Sequence, residues 1–304
     1  MPSYDLRSFE KNPAIRGGGQ TTAMLMVRIL TSYPMMMKSP GCLPPFIHPC
    51  FLSNTTDCER KPLESLTTCA NLMQMVGTGA PGSRKLLWKN VRLECERLQQ
   101  EWTRLDKWEL LSSMQALLVY ILLRLEEGET MYNNLDVLLL STVWVVACAL
   151  NAQINYGQCV APSGLRHGLS QKEWVFEESR RRMALIFRTL RMLFLMNPPG
   201  GCVAQDGFLL APLPARKQLW DAGDENTWML EKCRDVDVPS VFGVKTGGQM
   251  VKMREFQAIA NEETFSVYPD GSDESSANWQ EWCSGMDELG ALVMLAASLP
   301  TCYT

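Results

Sequence analysis

Cys42, His48, Cys50 and Cys58 gather around the stretch LPPFIHPC, and thiolates and imidazoles are the usual ligands of zinc. A zinc site needs its donors to converge at about 2.0–2.3 Å, and a C-x-x-C knuckle is the common way to hold two on one turn. None of the eleven cysteines lies three residues from another, and Pro44, Pro45 and Pro49 restrict how the loop can bend. The stretch therefore reads as a packed, extended connector with buried thiols, and His48 as part of that packing. Nucleophilic chemistry fares no better. It needs a base beside the nucleophile, and the imidazoles are His48 and His167, the latter eight residues after Cys159. No G-x-S-x-G, H-E-x-x-H or phosphate-cradling loop occurs, and Gly17-Gly18-Gly19 is not followed by G-K-[ST]. No catalytic, metal or cofactor residue is assigned, and the chain reads as a non-enzyme.

The elements that would position any site are helical. From Leu87 through Val91, Cys95, Leu98, Trp102 and Leu105, apolar residues recur at steps of three and four. A second set, LLSSMQALLVYILLRL, spans Leu110 to Leu125 and is stopped by Gly128. The uncharged run from Val137 to Leu150 reads as a buried helix too short to span a bilayer, with Asn133 or Asn134 as its cap. AMLMVRIL, Ala23 to Leu30, is expected to form a short helix ending before Pro34. Sustained period-two alternation is absent from the sequence, so the fold class expected is all-α, a multi-helix bundle with long irregular connectors. The boundaries read from composition are a loose leader at 1–20, a helical domain at 21–235, an acidic, loop-rich segment at 236–285, and a packing helix at 286–304. A net charge of −4 gives no global pull toward nucleic acid, and the odd, widely spaced cysteines suit free thiols in a reducing compartment.

The segment QKEWVFEESRRRMALIFRTLRMLFLMN, from Gln171 to Asn197, carries the most information. Trp174 and Glu178 share a helix face, and Glu178 lies three and four residues before Arg181 and Arg182. Phosphate or DNA binding by these arginines weighs less than pairing with buried carboxylates, to which the guanidinium fork is suited.

W-x-x-x-E-x-x-R-R on a helix, followed by LLAPLPARKQLWDAGDENTW from Leu209 to Trp228, resembles the middle regulatory region of fungal zinc-cluster transcription factors. SYPMMM, LPPFIHP and SMQALLVYILL also look like stretches of members that control secondary-metabolite gene clusters, so the resemblance covers roughly Met24 to Trp228. The motif residues it points to are Trp174, Glu178, Arg181, Arg182, Leu213, Pro214, Trp220 and Trp228. It implies nuclear residence (cytoplasmic being the alternative) and regulation of transcription. The six-cysteine, two C-x-x-C module with which such factors read DNA has no counterpart in this sequence. Action is therefore expected through protein partners, either a full-length zinc-cluster factor or the transcription machinery, and not through direct DNA binding or a membrane. The alternative is a scaffold, or a sensor of an apolar small molecule, since 18 methionines and nine tryptophans could line a pocket as well as a core. After Arg254 the chain has no Lys or Arg, and Phe265, Tyr268, Trp279 and Trp282 lie among its carboxylates, a composition that suits a solvated linker before the last helix.

Overall fold

The amphipathic repeat after Arg84 breaks at Asp106, where the chain builds a capping box. The Asp106 carboxylate accepts from the Trp108 and Glu109 N–H groups at 2.7 and 2.9 Å, and the Glu109 carboxylate accepts from the Asp106 N–H at 2.8 Å. Such a cap contributes about 1 kcal/mol and fixes where one helix ends and the next begins. In the computed structural model, residues 9–13, 15, 18–39, 41–52, 63–158, 170–196, 209–210, 212–234, 242–245, 250–252, 280 and 282–299 are described. Among them are nine α-helices: α1 (Gly19–Met36), α2 (Glu64–Gly77), α3 (Ser83–Glu101), α4 (Lys107–Glu127), α5 (Asp136–Gln158), α6 (Gln171–Leu193), α7 (Lys217–Trp220), α8 (Glu225–Arg234) and α9 (Glu288–Ala297). The fold is all-α, with little strand.

The chain forms two compact units, each assembled from separated segments. One comprises Met1–Lys11, Arg28–Lys172 and Phe194–Cys202, and the other Asn12–Val27, Glu173–Leu193 and Val203–Thr304. In the first unit, α2 packs on α3 and α4, and α5 packs on the same two helices. α4 is its core element, with every residue from Leu110 to Arg124 buried. Among its polar members, the Ser112 and Ser113 hydroxyls donate to the Glu109 carbonyl at 2.9 and 2.8 Å, and the Gln115 amide N–H donates to the Phe46 carbonyl at 2.9 Å, while the Gln115 side-chain oxygen has no partner among the described residues. At the end of α4, Gly128 adopts φ 66° and ψ −156°, a region open essentially to glycine alone. The buried Arg124 guanidinium holds both Asp136 carboxylate oxygens at 2.8 and 3.2 Å and donates to the Gly128 carbonyl at 2.7 Å, closing the α4–α5 loop.

Several local expectations are corrected. The run Val137–Leu150 belongs to a 23-residue helix that is buried on one face only, with Trp144 51% exposed. α4 and α5 are both long and apolar enough to cross a membrane by length and composition, and α4 is mostly buried within the fold. Asn133 does not cap α5. It is fully buried and ties the preceding loop by donating to the Gly128 carbonyl at 2.9 Å and accepting from the Thr130 N–H at 2.8 Å. Nor does α1 stop before Pro34, which lies inside the helix. The missing donor falls in the last turns, where burial of Leu30, Tyr33 and Met37 on one face outweighs it.

Five short strands were not anticipated. β1 (Glu10–Lys11) pairs antiparallel with β2 (Phe194–Leu195), so part of the expected loose leader is tied down. In the second unit, β3 (Leu209–Leu210), β4 (Phe242–Lys245) and β5 (Met250–Lys252) form a small antiparallel sheet, with Leu210 opposite Val244 and Gly243 opposite Val251. These ladders are too short to show an alternating pattern in the sequence.

Candidate functional site

Helical spacing puts Trp174, Glu178 and Arg182 on one face of α6, and the second unit folds around that face. The Arg182 and Glu178 side chains are fully buried, so each must find its partners inside the protein. Glu178 Oε1 accepts from Arg182 Nε and from the Ala215 N–H, both at 2.8 Å. Its other oxygen accepts from Arg181 at 2.5 Å. Arg182 continues outward, donating to Asp287 Oδ2 at 2.5 Å and to the Ala215 carbonyl at 3.1 Å. Its guanidinium carbon lies 4.1 Å from the centroid of the Trp220 ring, a stacked cation–π contact. One arginine thus joins α6, the backbone ahead of α7, the Trp220 ring in α7, and the start of α9.

Each neighbour is fixed in turn. Asp287 caps α9, its Oδ1 accepting from the Gly290 N–H at 3.0 Å. The Trp282 indole N–H donates to the Pro214 carbonyl at 3.1 Å, fastening the stretch before α9 to the one before α7. Trp174 packs against Trp228 with centroids 6.0 Å apart, beside Ala215, Leu219 and Ala222. Leu213, Pro214, Trp220 and Trp228 are all buried. Two carboxylates, Glu178 and Asp287, pair with two guanidiniums, Arg181 and Arg182, and the Asp221 carboxyl, pushed up by partial burial, lies near enough to interact with Arg182 and Asp287. Arg181 is the outer member, with its side chain 20% exposed, and Arg180 pairs with Glu177 at 2.9 Å on the outside of the helix.

All eight residues singled out in the sequence therefore meet in this unit. Missing from that set were Asp287, Trp282 and the Ala215 peptide group. Asp287 had a legible signal, an Asp immediately ahead of the apolar run ELGALVMLAA, which is the form of a helix N-cap. Nothing local announced that its second oxygen would meet an arginine 105 residues earlier.

The carboxylates and guanidiniums of the cluster pair with one another and with the Ala215 peptide group, while the buried Trp228 indole N–H has no hydrogen-bond partner among the described residues. The role of the cluster is mechanical: it holds three separated segments in one arrangement. Arginine suits this because its planar fork reaches several acceptors at once while one face stacks on an aromatic ring, which an ammonium cannot do.

The stretch that resembled a metal site is a packed loop. His48 is buried and its Nδ1 accepts from the Cys50 N–H at 3.2 Å, capping a turn of 3-10 helix at Pro49–Phe51. Cys42 and Cys50 are exposed free thiols. Among the described residues, no group of three His, Cys, Asp or Glu side chains is placed to hold a metal ion. Cys58, Cys159 and His167 lie outside the described residues, as does most of the acidic stretch. In the first unit, burial pushes the Cys69 and Cys95 thiols up to about 12, Tyr120 hydrogen-bonding the first and Thr142 the second. Such thiols are inert at neutral pH.

Compared with known proteins, the chain matches no family model, no curated sequence and no solved structure.

Proposed function

We propose that the protein is a regulator of transcription, of the kind that governs a fungal secondary-metabolite gene cluster, acting through its helical body and protein partners. The observation that carries this reading is the convergence of the motif. Trp174, Glu178, Arg181 and Arg182 meet Leu213, Pro214, Trp220 and Trp228 in one buried assembly, and these are the residues through which the sequence resembles the regulatory region of zinc-cluster factors. A device that fixes separated helices against one another suits a domain whose output is the shape it presents to a partner. On this reading the partner is a full-length zinc-cluster factor or the transcription machinery, residence is nuclear, and sequence-specific DNA contact is the partner's task.

The test is to tether the full chain to a promoter through a foreign DNA-binding domain and to map chromatin occupancy of the untethered protein. The reading expects the tethered chain to change reporter output several-fold, and occupancy that disappears when the partner factor is removed. A tethered chain that leaves the reporter unchanged would overturn it. Sequence-specific binding of DNA by the purified chain alone would overturn the claim that a partner supplies that contact.

A further inference from the structure

α6 ends without the usual means of closing a helix. The last carbonyls of a helix have no intrahelical donor, and a glycine in a left-handed turn commonly brings one. α6 stops at Leu193 and the chain passes directly into β2, with Phe194, Leu195 and Met196 following and no glycine among them. The donors come instead from a residue 180 positions before Met192. Asn12 Nδ2 donates to the Met192 carbonyl at 3.0 Å, and the Asn12 backbone N–H donates to the Leu193 carbonyl at 2.9 Å. The Asn12 carbonyl accepts from the Ile15 N–H at 3.3 Å, in a turn that leads away toward α1.

The two sides of this contact are unequally anchored. β1 is two residues long, with Glu10 opposite Leu195 and Lys11 opposite Phe194, and both of its residues are exposed. A ladder of that length with no buried side chain of its own is held by a few backbone bonds, and such segments open well below the free energy of global unfolding. α6 is held differently, by a buried face that includes Val175, Phe176, Met183, Ile186 and Leu190. We infer that residues 10–12 form a releasable strap. Closed, it lets Asn12 cap the end of α6; open, it leaves the Met192 and Leu193 carbonyls to water, and the last turn of α6 frays while the body of the helix holds. Asn12 is the positioning residue of this device, acting through those two carbonyls. The inference rests on these contacts and not on the transcriptional reading, so the failure of one leaves the other standing.

The experiment compares native-state hydrogen exchange, read by mass spectrometry on the segments 9–13 and 188–196, in the full chain and in two variants of it. Asn12→Ala removes the side-chain donor and is expected to speed exchange in both segments about fivefold. Asn12→Asp keeps the shape, removes the donor and sets a negative charge at the negative end of the α6 dipole, so at pH 7 it is expected to speed exchange at least about tenfold. Exchange in α2 to α5 and in the 175–186 part of α6 is expected to stay as in the parent. Lowering the pH from 7 toward the aspartate range near ~4 neutralises the introduced carboxyl and gives it an O–H to donate, so the gap between the two variants at equal pH is expected to close. A contact that only filled space would show no such recovery. The inference is overturned if N12D exchanges like the parent in both segments, if its acceleration spreads equally through α2 to α5, or if the gap between N12D and N12A does not change with pH.

Discussion

Replacing Arg182 with Met keeps much of the side-chain volume and removes the charge from the centre of the buried network. Two carboxylates lose their shared partner, although Glu178 keeps Arg181 and the Ala215 N–H, and Asp287 keeps its cap bond to Gly290. Breaking a buried ion pair by deleting one partner costs about 3–5 kcal/mol. The lost stacking on Trp220 adds about 1 kcal/mol, and packing of the methionine returns a similar amount. The expected cost is about 4 kcal/mol, a large fraction of the ~5–15 kcal/mol that holds a typical domain together. Equilibrium urea unfolding read by tryptophan fluorescence is the assay, since Trp174, Trp220, Trp228 and Trp282 all lie in this unit. At a slope of ~2 kcal/mol per molar urea, the midpoint of that transition falls by about 2 M. Arg181→Met supplies the internal control: it is the adjacent residue of the same type, but it is partly exposed and makes a single recorded bond to Glu178, so its expected cost is about 1 kcal/mol. Equal costs for the two variants, or a cost below ~1 kcal/mol for Arg182→Met, would refute the reasoning.

Three further outcomes follow from the geometry. Asp287→Ala removes both a helix cap and the second partner of Arg182, and is expected to cost about 3 kcal/mol or more, while Asp287→Asn, which retains the cap acceptor, costs less; chemical denaturation orders the two. Gly128→Ala places a side chain at φ 66°, ψ −156° and is expected to cost about 1–3 kcal/mol, visible as a lowered Tm of the first unit. With thiol pKa values raised from 9.0 to about 12, Cys69 and Cys95 hold roughly a thousandfold less thiolate at pH 8 than an ordinary cysteine. Peptide mapping after brief alkylation should therefore find Cys42, Cys50, Cys148 and Cys233 modified and Cys69 and Cys95 intact until the protein is denatured. Because the shift is upward, raising the pH from 7 to 9 leaves the two buried thiols unreactive.

The helical elements were legible because their signals are local. Gly128 ends α4, and the three-and-four spacing from Leu87 marks α3, although that spacing runs on to Leu105 and hides the break at Asp106. The run Val137–Leu150 reads as a buried helix in the sequence, yet Trp144 and Cys148 of α5 face outward, while α4 buries Ser112, Ser113 and Gln115 by finding each an acceptor. Those acceptors include the Phe46 carbonyl, which no periodicity in α4 could reveal. The same limit applies to the candidate site. Glu178, Arg181 and Arg182 are neighbours on one helix and announce their pairing, whereas Asp287 and the Pro214–Trp282 bond depend on long-range folding. The division into two units made of discontinuous segments is equally invisible to composition, which varies only along the chain.

The most direct measurement of how the motif works is native-state hydrogen exchange on Arg182→Met. If one guanidinium ties the three segments together, amide protection falls in α6, in the Leu213–Trp228 stretch and in α9 together and by similar factors. Loss confined to α6, with α7, α8 and α9 protected as in the parent, would contradict the account.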